Sequence, residues 1–151
     1  MKYHFFILGA IFLLVISAYF GVWNFDFVYD DYRHMVGNQS IRELTPVTKF
    51  FTEPSTFTGV TMSFVWRPVA AFAQAVSWQI FGMQSGWYHT VNLLLHLINV
   101  GLVYWLVFLL TKKAFLAGLT SVFFGIHPAL TEAVSWISSQ NTLLFSLFFL
   151  V

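Results

Sequence analysis

The chain has 151 residues and a net charge of +1, is 58% hydrophobic and 21% aromatic, and is only 9% charged, against about a quarter charged in ordinary soluble domains. That much apolar surface excludes a soluble globular domain; the net charge says nothing about nucleic acid, and with no basic run to suggest it none is expected as a partner. The absence of cysteine excludes a disulfide framework, a cysteine-ligated zinc site and thiol catalysis.

The predicted class is therefore an all-α polytopic membrane protein. Residues 1–25 form the first segment. Phe5 to Phe25 is free of charge, and about 20 such residues cross a bilayer. Lys2 places its N-terminus on the cytoplasmic side. Small residues near Ser17-Ala18 would suit a signal-peptidase site, but the run is long for the apolar core of a cleaved signal, so an uncleaved anchor is expected.

Residues 26–67 hold nine of the thirteen charged residues and are expected to form an extracytoplasmic loop. Its sharpest feature is Tyr29-Asp30-Asp31-Tyr32. Paired carboxylates repel, so one holds its proton more tightly while the other stays ionised, and such a pair can supply a general base. The same acids could hold a divalent metal with Glu43 or Glu53, or merely cap a turn in water. Asn38-Gln39-Ser40 fits a glycosylation sequon, a motif short enough to arise by chance. At the end of the loop Arg67 could grip a lipid phosphate bidentately or simply anchor the chain at the interface.

Residues 68–81 are too few to span. Pro68 suits a first helical position, and Val69, Phe72, Ala73, Val76 and Ile80 recur at helical spacing with Gln74 and Ser77 on another face. This reads as a helix lying in the membrane interface. Gly82 to Gly86 breaks the chain, and residues 87–111 are long enough to cross, with Trp87-Tyr88 as an interfacial belt. His89, Asn92, His96 and Asn99 fall on one face of this helix. They either line a site or bond neighbouring helices; Asn99, the deepest, is read as structural and His89, near the outer edge, as the better site candidate.

Lys112-Lys113 marks a cytoplasmic turn. Residues 114–127 return as a short span that His127-Pro128 ends or kinks. Residues 128–142 form an outer turn in which His127 and Glu132 could serve a site or only cap, and residues 143–151 begin a further helix. That last run has no polar flank, which predicts the N-terminal piece of a longer protein.

In order along the chain stand Phe27-Val28-Tyr29-Asp30-Asp31 with Asn38 soon after, Arg67-Pro68, Tyr88-His89-x-x-Asn92-x-x-x-His96, and His127-Pro128-x-x-Thr131-Glu132-Ala133-Val134. This series resembles the N-terminal part of the transmembrane O-mannosyltransferases with tetratricopeptide repeats and their bacterial relatives. These belong to the polytopic glycosyltransferases of the GT-C class, which use polyprenyl-phosphate-linked sugars. The resemblance implies a GT-C-like helical bundle in the bacterial inner membrane or endoplasmic reticulum, acting on a protein or glycan acceptor at the extracytoplasmic face. It implies Asp30 or Asp31 as the base, and Arg67 beside the donor phosphate, with His89, Asn92, His127 and Glu132 as further binding candidates. No cofactor is certain beyond a possible divalent metal, any repeats lie beyond Val151, and this stretch alone is expected to be inactive. One departure stands out: relatives often carry an arginine where Ser139-Gln140-Asn141 has no charge. Two alternatives remain, a transporter using the His/Asn stripe as a relay and a non-catalytic membrane subunit.

Overall fold

A computed structural model describes residues 2–59 and 65–151. Met1, and the part of the expected outer loop at 60–64, lie outside the described residues. The described residues are all-α, with no strand among them. The helices are α1 (Lys2–Ala18), α2 (Lys49–Thr52), α3 (Ser55–Thr58), α4 (Pro68–Phe81), α5 (Ser85–Thr111), α6 (Ala114–Ile126), α7 (Thr131–Ser135) and α8 (Gln140–Leu150). Two stretches among them are long and apolar enough to cross a membrane, Tyr3–Asn24 and Ser85–Thr111. A third candidate is the pair α6 and Pro128–Ser135, bent by 52°. The bend falls at His127, which is extended, as the residue before a proline tends to be.

Two cores organise the chain. The first joins α1, α5 and α6 through Leu8, Ile11, Val15, Leu97, Val100 and Tyr104. Here α6 turns its small residues inward: Ala117, Ser121 and Gly125 are buried. A Cβ on Gly125 would stand 2.6 Å from Val15 Cγ2 and 3.3 Å from Val100 Cγ2, so glycine lets three helices meet at that point. At the far end of α1, His4 Nδ1 and the Tyr104 hydroxyl are 2.6 Å apart, which fixes the start of α1 to the last third of α5.

The second core seats the charged loop on α4. Phe27, Met35, Ile41, Phe50 and Phe57 pack against Ala70, Ala71, Ala75, Tyr88 and Ile137. The packed face of α4 is thus its small and polar side, Ala70, Ala71, Gln74, Ala75 and Ser77. Val69 and Ile80, from the apolar stripe, are 41% and 66% exposed. Polar clamps hold the loop in place. The Arg42 guanidinium lies 4.1 Å from the Trp78 ring centroid and its Nη2 donates to the Val36 carbonyl at 2.7 Å. Asn38 Nδ2 donates to the Thr56 and Phe57 carbonyls while its Oδ1 accepts from Ser40 N. With its amide nitrogen buried and committed, Asn38 is a structural cap and not an open glycan acceptor in this fold.

Candidate functional site

The acidic pair sits on a tight turn. Asp31 N–H donates to the Val28 carbonyl at 3.0 Å, and Val28 N–H donates back to Asp31 Oδ2 at 3.1 Å. Between them Tyr29 takes a left-handed conformation, φ 49°, uncommon for a non-glycine residue, and is 83% exposed. After the turn the chain winds widely over Tyr32–Val36, with Gly37 N–H reaching back five residues to the Tyr32 carbonyl at 2.7 Å. Wide turns of this kind recur near functional sites.

The two adjacent acids have opposite surroundings. Asp31 is fully buried. Its Oδ1 accepts from the Ser138 amide at 2.8 Å and from the Ser138 hydroxyl at 2.5 Å, so with Val28 three donors converge on one carboxylate. Asp30 is only partly buried, and no hydrogen bond or ion pair engages its carboxylate among the described residues. Its carbonyl accepts from Arg33 N–H at 3.0 Å and His34 N–H at 2.8 Å, which puts His34 one turn along on the same side. Burial pushes His34 below the ordinary histidine range. The negative charges of Asp30 and Asp31 oppose that shift, and the positive charges of Arg33 and Arg67 add to it.

Arg67 stands close by. Phe57 is shared between them: its ring centroid is 4.6 Å from that of His34 and 5.3 Å from the Arg67 guanidinium carbon. Arg67 and Pro68 open α4 at the mouth of a groove of about 380 Å³ lined by Val69, Leu144, Phe145 and Phe148 as well as Asn141 and Thr142. The first turns of α4 and α8 therefore face one groove. α4 has no side-chain cap, so its positive dipole end remains open toward an anion, whereas α8 continues from the Ile137–Ser139 turn and its first N–H, on Gln140, donates to the Ile137 carbonyl.

The stripe on α5 divides. Asn92 Nδ2 donates to the Trp136 carbonyl at 3.0 Å, His96 Nε2 lies 2.9 Å from the Gly125 carbonyl, and Asn99 Nδ2 donates to the Leu143 carbonyl at 3.0 Å. Each ties α5 to a neighbouring segment. His89 differs: it is fully buried, no side-chain bond among the described residues ties it to a neighbouring helix, and the Phe25 ring approaches it edge-on at 6.0 Å. His127 and Glu132 are both exposed. His127 Nδ1 accepts from Ala129 N–H at 3.2 Å, a capping role, and no described contact joins either residue to the acidic turn.

The structure thus sets Asp30 and Asp31 on one turn, links Arg67 to the helix that follows that turn through Phe57 and His34, uses Asn92 as a tether, and leaves His127 and Glu132 apart. Among the described residues no three His, Asp or Glu side chains converge to hold a metal; Glu43 and Glu53, exposed elsewhere on the loop, do not join the acidic pair. Ser138 and His34 carry no distinctive motif and escape a reading of the sequence. His34 could have been found from its spacing of four after Asp30; Ser138, 107 residues from Asp31, could not.

Several curated proteins are similar to the chain over most of its length. Human protein O-mannosyl-transferase TMTC2 is 31% identical over 141 residues, 91% of this chain and 17% of that protein. Protein O-mannosyl-transferase Tmtc1 of Drosophila melanogaster is 30% identical over 131 residues, 81% of this chain and 15% of its own length. Protein O-mannosyl-transferase F38B6.6 of Caenorhabditis elegans is 29% identical over 146 residues, 89% and 20% respectively. The chain therefore spans about a sixth of the human relative's length. No protein-family profile matches the chain, and no solved structure matches it significantly.

Proposed function

From this kinship with protein O-mannosyl-transferases we propose that the chain is part of a membrane glycosyltransferase of the GT-C kind. It moves a sugar, mannose by analogy with the relatives' names, from a polyprenyl-phosphate carrier to an acceptor hydroxyl on a protein or glycan. The observation that carries the reading is the groove at Arg67. Arg67 and the uncapped start of α4 line it together with an apolar wall of Leu144, Phe145 and Phe148 along α8. A lipid phosphate matches that division, its anion at Arg67 and the α4 start and its isoprenoid tail on the aromatic wall.

Asp30 is the base in this account. Among the described residues its carboxylate is unengaged, and it is partly exposed, whereas three donors converge on the Asp31 carboxylate. The acceptor hydroxyl loses its proton to Asp30 as its oxygen forms the new bond to the anomeric carbon. The bond from that carbon to the phosphate oxygen breaks, and the electron pair leaves with the carrier phosphate. Arg67 and the α4 start offset the charge that develops there. A single displacement inverts the anomeric centre, as in inverting glycosidases. The acidic loop faces the extracytoplasmic side, with Lys112-Lys113 on the cytoplasmic side, by the positive-inside tendency. The relay role considered for the α5 stripe loses support, because three of its four members are bonded to backbone carbonyls.

A photoreactive polyprenyl phosphate tests the donor site. It is expected to label α8 peptides containing Phe145 and Phe148, and Arg67→Ala is expected to weaken that labelling about tenfold or more, the loss of one bidentate charge contact. Labelling that ignores Arg67, or that falls on α6 instead, would remove the groove from the account.

A further inference from the structure

Ser138 occupies a place that the reaction above does not use. It lies in the Ile137–Ser139 turn, between the Trp136 carbonyl and the first residue of α8. That turn is rigidly seated. The Trp136 carbonyl accepts from Ser139 N–H at 3.0 Å and from Asn92 Nδ2 at 3.0 Å. Ile137 is 2% exposed, within the core that also holds Phe27 and Tyr88. From this seat Ser138 gives two donors to one oxygen of Asp31, while the other oxygen closes the Val28–Asp31 turn.

We propose that Ser138 is a positioning residue that holds the acid-bearing loop in register with the donor groove, an inference that rests on the glycosyltransferase reading. The chain of contacts is short. Asn141 and Thr142, in the first turn of α8, line the groove with Arg67. Three residues before Asn141, Ser138 binds Asp31, and Asp31 is the backbone neighbour of Asp30. One carboxylate thereby joins the segment that receives the phosphate to the turn that presents the base. The left-handed Tyr29 sits inside the closed turn, so the fastening at Asp31 also holds a conformation that the backbone would otherwise leave. Proximity catalysis demands this register, since a displacement of about 1 Å costs on the order of a hundredfold in rate.

The test compares Ser138→Ala and Ser138→Thr in the full-length protein of which this chain is part, embedded in lipid nanodiscs, with two readouts. In transfer of mannose from a polyprenyl-phosphate carrier to a hydroxyl-bearing peptide, Ser138→Ala is expected to lower kcat roughly tenfold, the loss of one charge-assisted bond. The donor KM stays within about twofold because Arg67 and the α4 start are untouched, and Ser138→Thr, which keeps the hydroxyl, restores kcat. In the second readout a spin label at Arg33→Cys, on the loop and exposed, becomes more mobile in Ser138→Ala than in the parent and not in Ser138→Thr.

A label indifferent to Ser138→Ala overturns the fastening itself. A mobile label with unchanged kcat overturns the positioning role, and a raised donor KM with intact kcat moves Ser138 into donor binding. Failure of the parent reading looks different: transfer persists in Asp30→Asn, or is absent from the unsubstituted protein, and the label then judges the fastening alone.

Discussion

Asp30 and Asp31 differ by one position and almost entirely in surroundings, and that difference predicts opposite consequences for the same substitution. At Asp31 an amide cannot accept on both sides: either Val28 N–H or the Ser138 donors would face an NH2 group. Asp31→Asn is therefore expected to destabilise the protein by about 3 kcal/mol, the scale of a lost hydrogen bond to a charged group plus an unpaired donor. Asp30→Asn removes no bond and should leave thermal unfolding unchanged. Unfolding midpoints of the two variants in detergent check the contrast. His34 adds a pH dependence. Its pKa is depressed in the fold by burial, so the unfolded chain binds more protons below the ordinary histidine value of about 6.5, and stability must fall as pH drops through that value toward the folded one. Melting curves from about pH 7.5 to about pH 5 should show the loss in the parent and a flatter profile in His34→Phe. At this scale the acidic pair was legible from its rarity in an apolar chain. Its division of labour was not, because the deciding partner is contributed by residue 138 and no local pattern encodes a contact so distant in sequence.

The helices carry their own punctuation. Pro68 opens α4, and Gly82, with φ 57°, stops it, both for backbone reasons visible in the residue types. The inward face of α4 was harder to read. The apolar stripe points partly outward and the alanines point in, since an apolar environment removes the rule that the most hydrophobic side is the packed one. The stripe on α5 shows the same inversion, its polar residues turned inward to carbonyls of neighbouring segments. His96→Ala is expected to leave the Gly125 carbonyl unpaired and cost about 1–3 kcal/mol, measurable by denaturation in mild detergent. Gly125→Ala tests the packing of α1, α5 and α6 directly. Its Cβ would overlap Val15 and crowd Val100, an overpacking expected to cost about 1–3 kcal/mol or more, whereas Gly9→Ala on the open side of α1, where a Cβ meets nothing within 4 Å, should not destabilise.

For the molecule as a whole, composition alone was enough for the all-α membrane class, because 9% charge and 58% hydrophobic content leave no soluble alternative. Composition could not reveal how the charged loop closes over α4, or that α8 returns to meet Arg67. Those depend on alanine-sized gaps on α4 and on tethers from α5. The topology proposed from charge has a simple check: cysteines introduced at Glu53 and Lys113 in this cysteine-free sequence should react with impermeant thiol reagents from opposite sides of the membrane, Glu53 from outside.

The central claim is that Asp30, and not its buried neighbour, removes the proton from an acceptor hydroxyl in a sugar transfer fed by a lipid phosphate. The most direct measurement is single-turnover transfer of mannose from a polyprenyl-phosphate carrier, comparing the unsubstituted full-length protein with its Asp30→Asn variant in the same membranes. The account predicts a rate loss of about a hundredfold or more, the usual size of a general-base contribution, with folding and donor labelling intact. Equal rates in the two proteins would contradict it.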